Sequence, residues 1–345
     1  MGRIDISSKD SPQSGREWRR LVPGVLVSLL ALAILLYFVD LQQFKQAITG
    51  ANYPMILVAT LATLIWLAFR GIAWRTLLHN QASFSQVFLT LNEGYLLNNF
   101  LPLRLGEVGR AFLLSRKANL RFMRVVSSVV IERTLDIAMA VGLLLSSLPF
   151  VVGAGWALQA ALAAGALVLM ILAALYTLAV KRQVVAAWFE RWTARWPRLS
   201  GLGGRTLPAF MEGLAVLTDT RVFLKAVLWM ALNWLVGVCQ YYLFLLAFFP
   251  EARLLWAWFG LGVVALGVAA PSSPGSLGVL ELALVGALSV FDLDPSTVLA
   301  AALTLHLAQY MLTGLIGAYA LALDGESLVG LYQKVRRIRT DDVKG

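Results

Sequence analysis

The sequence predicts an all-α polytopic membrane protein, with about six full transmembrane helices and two broken re-entrant hairpins arranged as inverted-topology repeats. Three observations predict it. Of 345 residues, 59 % are hydrophobic and only 14 % charged, with a mean hydropathy of +0.75. A soluble domain carries roughly a quarter charged residues and could not hide this much apolar surface. Six apolar stretches each reach the roughly 20 residues that a span needs. Two more are interrupted near their middles by proline, glycine and small polar residues.

Residues 1–20 form a polar tail carrying Arg3, Lys9, Arg16, Arg19 and Arg20. The apolar run over 21–39 is flanked like a signal peptide. It is long, however, and no small-x-small cleavage site follows in DLQQF, so it is read as a retained first span. Further spans are expected over 53–77, 122–152, 153–180, 222–249 and 297–323. The broken stretches are 84–114, containing LNNFLPLRLGEVGRAFLL, and 255–290, containing VAAPSSPGSLGVLELALV. Each half is short for a complete span, and non-helical backbone at that depth is tolerated only inside protein or beside a watery cavity. Two ordinary kinked spans per stretch would give the same orientation.

Basic residues set the sides. The loop 181–221 carries Lys181, Arg182, Arg191, Arg195, Arg198 and Arg205, and the tail 324–345 carries Lys334, Arg336, Arg337, Arg339 and Lys344. The opposite segments hold little more than Lys45 and Arg253. Both termini are therefore expected in the cytoplasm of a multi-pass membrane protein. Split near residue 152, the chain reads span, span, broken hairpin, span twice over, as repeats 21–152 and 153–323. The second copy starts from the opposite side. Broken helices in matching positions of inverted repeats point to a binding site near the midplane.

The first break holds Pro102, Arg104, Gly106, Glu107 and Arg110. A helix start leaves backbone N–H groups free for an anion, guanidinium forks match phosphate, and Glu107 can pair with both arginines at helical spacing. The second break holds Ser272, Ser273, Pro274, Gly275, Gly278 and Glu281. Its serines can cap a half-helix starting at Pro274, which puts Glu281 about two turns in, where a lone carboxylate must pair, protonate or meet water. An arginine of the first hairpin is the favoured partner. Ser128, Glu132 and Asp136 recur at every fourth position on one helix face, with Arg133 beside them. Glu93, Asn98 and Asn99 lead into the first break, and His306 lies on an apolar helix. Trp188, Trp192 and Trp196 alternate with arginines, as on an amphipathic helix bound to anionic lipid headgroups.

Much is excluded. The only cysteine, Cys239, permits no disulfide framework, and two histidines, His79 and His306, make a metal site an unfavourable reading. There is no GxxxxGK[ST], GxSxG, HExxH or dinucleotide fingerprint. No cofactor is expected, and the net charge of +10 suits cytoplasmic loops and anionic lipid rather than nucleic acid. Self-association to a homo-oligomer is left open.

The two broken segments, with their P-x-R-x-G-E and P-G-x-x-G-x-x-E cores, resemble the paired signatures of the flippase-like family. This is the lysylphosphatidylglycerol synthase transmembrane-region family, whose members include the membrane domain of the multiple peptide resistance factor. The resemblance covers roughly 20–325 and implies an inner-membrane protein that moves lipids between leaflets. It maps the family motifs onto Pro102, Arg104, Gly106, Glu107, Arg110, Pro274, Gly275, Gly278 and Glu281. No stretch of these 345 residues matches the factor's aminoacyltransferase domain, so no lysyl-lipid synthesis is implied. Members without that domain are associated with assorted lipids, including isoprenoid-linked sugars. The expectation is a non-enzymatic translocator in which Arg104, Arg110 and Arg133 hold a phosphate. Glu107, Glu132, Asp136 and Glu281 balance those charges or carry protons. A membrane enzyme acting on a lipid phosphate, or a scaffold for a glycosyltransferase, are the alternatives.

Overall fold

The computed structural model describes scattered residues between 26 and 37, then 39–100, 105–151, 155–193, 207–269 and 274–325. The described residues are helical throughout, without strands. They form α1 (Leu41–Gly50), α2 (Tyr53–Leu77), α3 (Phe84–Phe100), α4 (Leu105–Lys117), α5 (Phe122–Val151), α6 (Gly155–Val180), α7 (Arg182–Thr193), α8 (Thr220–Phe248), α9 (Leu254–Gly267), α10 (Val279–Leu288) and α11 (Pro295–Leu323). Five stretches among them are long and apolar enough to cross a membrane: α2, α5, α8, α11 and Pro274–Phe291, which contains α10. The span expected over 21–39 lies largely outside the described residues.

Local sequence explains the starts. Asn52 accepts from the Met55 N–H at 3.1 Å at the head of α2, and Asp219 does the same for Arg221 and Val222 at the head of α8. Asp294 accepts from Thr297 at 2.8 Å, with Pro295 in the first turn of α11 where its missing N–H costs nothing. Asp40 caps α1 by accepting from Gln42 and Gln43, so the segment over 40–52 is a helix rather than a plain loop. The basic segment over 181–221 is likewise partly helical, through α7 and the stretch Leu207–Leu217. Trp196 and its neighbouring arginines lie outside the described residues.

The packing pattern maps onto itself when the two halves of the chain are exchanged. The most extensive contact joins α2 to α8, which hold the second-span position in each half. The next joins α3 to α11, and its counterpart joins α9 to α5. Polar groups fasten the central pair: Asn233 donates to the Trp66 carbonyl at 2.7 Å and Gln240 to Thr63 at 2.6 Å. Side-chain hydrogen bonds of this kind hold helices together where apolar surface alone gives no preference between protein and lipid.

Both broken stretches fold back as hairpins. Gln86 near the start of α3 donates to the carbonyl of Lys117 at the end of α4, at 2.9 Å, so both outer ends lie together. Arg121 and Arg124 pair with Glu212 at this basic end of the bundle. In the second hairpin, Phe291 stacks near Trp256 and Phe259 at centroid distances of 5.9 and 6.0 Å, which brings the start of α9 to the end of α10. Phe249 and the start of α11 are at this same end, which is poor in basic residues. The two hairpins therefore enter the bundle from opposite ends.

Candidate functional site

The tips of the hairpins meet. Tyr310 of α11 donates through its hydroxyl to the carbonyl of Asn99, the penultimate residue of α3, at 2.7 Å. The same ring lies against Gly275, whose φ is +67°. A β-carbon at Gly275 would overlap the Tyr310 hydroxyl, so both backbone conformation and space demand glycine. Within the first hairpin, α3 and α4 cross so closely that a β-carbon on Gly106 would overlap the Gly94 carbonyl oxygen and the Asn98 amide. That amide accepts the Gly106 N–H at 2.8 Å. The α-helix here begins at Leu105, and Pro102 and Arg104 lie outside the described residues.

Behind the first tip sits a cluster of three guanidinium and three carboxylate groups. Glu132 is fully buried and takes Arg70 at 2.7 Å and Arg110 at 2.9 Å. Arg70 also reaches Asp136 at 2.5 Å, and Arg110 reaches Glu107 at 2.7 Å. Arg133 touches Glu132 at 3.0 Å, Asp136 at 3.3 Å and Glu107 at 3.6 Å. The expected shared face of α5 is real: Ser128 accepts the Trp74 indole at 3.0 Å, Glu132 takes three arginines, and Asp136 accepts the Trp234 indole at 3.2 Å. Trp74 also covers the Arg110 guanidinium, 4.5 Å from the ring centroid, shielding it from water.

Charge balance changes the expected chemistry. Among the described residues the cluster is neutral, and Arg110 is turned into carboxylates and a tryptophan, not toward an open site. Within the cluster the most exposed arginine is Arg133, at 33 % of its side chain, against 3 % for Arg110 and 4 % for Arg70. Arg133 is thus the guanidinium best placed to meet a ligand, and its Nε has no hydrogen-bond partner.

A cavity of about 570 Å³ lies beside this cluster, between the hairpin tips and the α2–α8 pair. Of the residues the sequence pointed to, Asn98, Asn99, Glu107, Arg133, Asp136, Gly275 and His306 line it. Glu132 and Arg110 stand behind that wall. The buried Asn99 amide nitrogen and Asn233 amide oxygen lack partners. Ser272 and Ser273 lie outside the described residues. Glu93 is elsewhere: buried on α3, it pairs with Lys117 at 2.8 Å, and Lys117 also pairs with Asp324.

The second hairpin departs from expectation in two ways. Pro274 opens a short 3-10 turn, and the α-helix begins only after Gly278, at φ +81°. Glu281 consequently sits in the first turn of α10, not two turns in, and accepts the Gly278 N–H at 2.7 Å. Among the described residues its partner is not an arginine of the first hairpin but His306 of α11, with Nδ1 at 2.6 Å from Oε1. Arg70, Arg110 and Arg133 are instead paired with the carboxylates of α4 and α5. His306 is thereby half of a buried pair instead of a lone packing residue. Arg70 is the residue the sequence reading missed, although an arginine inside the otherwise apolar span over 53–77 is itself a functional signal.

Comparison with known proteins agrees with this architecture. A family model described as "Lysylphosphatidylglycerol synthase TM region" matches residues 21–317. A protein of Methanothermobacter thermautotrophicus described as "UPF0104 membrane protein" is 26 % identical, over 91 % of this chain and 96 % of that protein.

Proposed function

The chain belongs to the lysylphosphatidylglycerol synthase TM-region family, and from that premise we propose that it is a lipid translocator. It moves a phosphate-bearing lipid or glycolipid between the leaflets of the inner membrane without converting it chemically. The observation that carries this reading is the cavity of about 570 Å³, walled by ion-paired side chains, between two hairpins that enter from opposite ends. Such a cavity can hold a polar headgroup, while Leu303, Leu307, Met311 and Leu315 of α11 and Leu57, Leu61 and Leu64 of α2 offer apolar surface to the tails. Arg133 contacts the phosphate, and the amides of Asn98, Asn99 and Asn233 contact the rest of the headgroup.

The fold-back of each hairpin supports re-entry: α9, with 14 residues, reaches only about 21 Å at 1.5 Å per residue, short of the ~30 Å hydrocarbon layer, and its partner stretch Pro274–Phe291 returns to the end where α9 begins. The end bearing Arg116, Lys117, Arg121, Arg124, Lys181, Arg221 and Lys225 faces the cytoplasm in this reading, and both termini with it. The basic helix α7 then rests on anionic headgroups. Single cysteines placed in a Cys239→Ser background test the orientation. Gln46→Cys is expected to label only from outside and Thr218→Cys only from the cytoplasm, whereas labelling of both from one side contradicts it.

The function is tested with purified protein in phosphatidylcholine vesicles carrying trace NBD-phosphatidylglycerol. The expected result is dithionite bleaching beyond the outer-leaflet fraction, without ATP, because no nucleotide motif is present. Chemical conversion of the lipid without movement would overturn the reading in favour of a membrane enzyme.

A further inference from the structure

Glu281 and His306 form a titratable unit outside the arginine cluster. Glu281 is 1 % and His306 6 % exposed, and the pair links the second hairpin to α11. One carboxylate oxygen caps the Gly278 N–H and the other takes His306 Nδ1. When Glu281 is ionised it only accepts, which puts the hydrogen on Nδ1 and leaves Nε2 for the cavity that His306 lines. Among the described residues the surroundings supply no compensating charge. Tyr310 meets the imidazole edge-on at 5.4 Å, and Tyr241 of α8 lines the same cavity. From α9 comes no ionisable side chain. The facing tip of α3 offers Asn99, its Glu93 being turned to Lys117. The charged groups across the cavity are Arg70, Arg133, Glu107 and Asp136, members of the neutral cluster.

With Nε2 bare the pair holds one net negative charge; with Nε2 protonated it holds none. We propose that the Glu281–His306 pair is a proton-binding site and that the protein carries a proton together with an anionic headgroup. The inference rests on the translocator reading above. A phosphate-bearing headgroup entering a cavity whose other ion pairs already cancel is repelled by the bare pair and admitted by the protonated one. Proton and lipid then favour each other's binding reciprocally, and each coupling of this kind is worth roughly 5–150-fold in affinity. The proton comes from water in the cavity, is taken up at Nε2 and leaves from Nε2 on the other side; no bond to the lipid forms or breaks. The link to motion is structural. Glu281 fixes the start of α10, and Tyr310, one turn from His306, bridges Gly275 to the tip of the first hairpin.

The test measures NBD-phosphatidylglycerol movement in the same vesicles, with potential clamped, at matched pH values and under imposed pH gradients. Wild-type protein is expected to move lipid about tenfold faster in acid than in alkaline buffer, and to accumulate it on the alkaline side of a gradient. The two single variants separate in opposite directions. His306→Gln keeps an N–H donor for Glu281 but cannot take the proton, so it is held at the slow alkaline rate at every pH. Glu281→Gln removes the negative charge and is held at the fast acid rate. A wild-type protein that moves lipid at one rate at all pH values, or a His306→Gln protein that keeps the wild-type pH slope, overturns the proton site and leaves translocation standing. A wild-type protein that moves no lipid at any pH overturns both.

Discussion

Replacing Glu132 by alanine is expected to destabilise the protein by about 3–5 kcal/mol and to abolish translocation. Glu132 is fully buried and holds Arg70 at 2.7 Å and Arg110 at 2.9 Å. Removing it leaves two buried guanidinium groups with one carboxylate partner fewer each, in a part of the bundle too apolar to hydrate them. The loss is read by denaturant or thermal unfolding in detergent, alongside the vesicle assay. A paired variant separates folding from function. Glu132→Leu with Arg110→Met removes one charge of each sign, so Arg70 keeps Asp136 and Arg133 keeps Glu107. Stability should return most of the way, since apolar replacement of a whole buried ion pair is often neutral or better. Translocation should stay lost, because the wall that orients Arg133 is gone. A Glu132→Ala protein with native stability would show that water reaches the cluster freely.

Gly106→Ala should be nearly as damaging, though it adds only a methyl group. The new carbon would overlap the Gly94 carbonyl oxygen, which is backbone and cannot swing aside, and the Asn98 amide. Separating α3 from α4 strains a packed interface by roughly 1–3 kcal/mol. It also breaks the Gly106–Asn98 hydrogen bond and draws Arg110 away from Glu132. The expected outcome is a folded but less stable protein with little translocation. Gly142, which has open space around it, is the control: Gly142→Ala should leave both measurements unchanged.

The long helices were legible because hydropathy and capping residues are local. The run over 53–77 is α2, and the boundaries of α5, α8 and α11 fall within two residues of those read from sequence. The second break was legible for the same reason, since proline and glycine act on the backbone where they stand. The face shared by Ser128, Glu132 and Asp136 followed from helical period, and the Glu107–Arg110 pair from a spacing of three. What was hidden depends on which helices meet. Arg70 lies 62 residues from Glu132, and no periodicity joins them. The partner of Glu281 is not legible because nothing in the sequence shows that Arg110 and Arg133 are held by carboxylates of α4 and α5. The start of α10 was placed at Pro274 because proline suits a first turn. Gly275 and Gly278, both at positive φ, delay the helix until Val279.

The central claim is that a lipid headgroup occupies the cavity between the hairpin tips, and photocrosslinking tests it most directly. A phospholipid carrying a diazirine on its headgroup, incubated with the protein in vesicles, should attach to peptides bearing Tyr95, Arg133 and Gln309, which line the cavity. The same lipid with the diazirine at the end of an acyl chain should attach instead to outward-facing positions such as Leu307 and Leu315. Headgroup attachment confined to the ends of the bundle, near Arg121 or Lys45, with none in the cavity, would contradict the account.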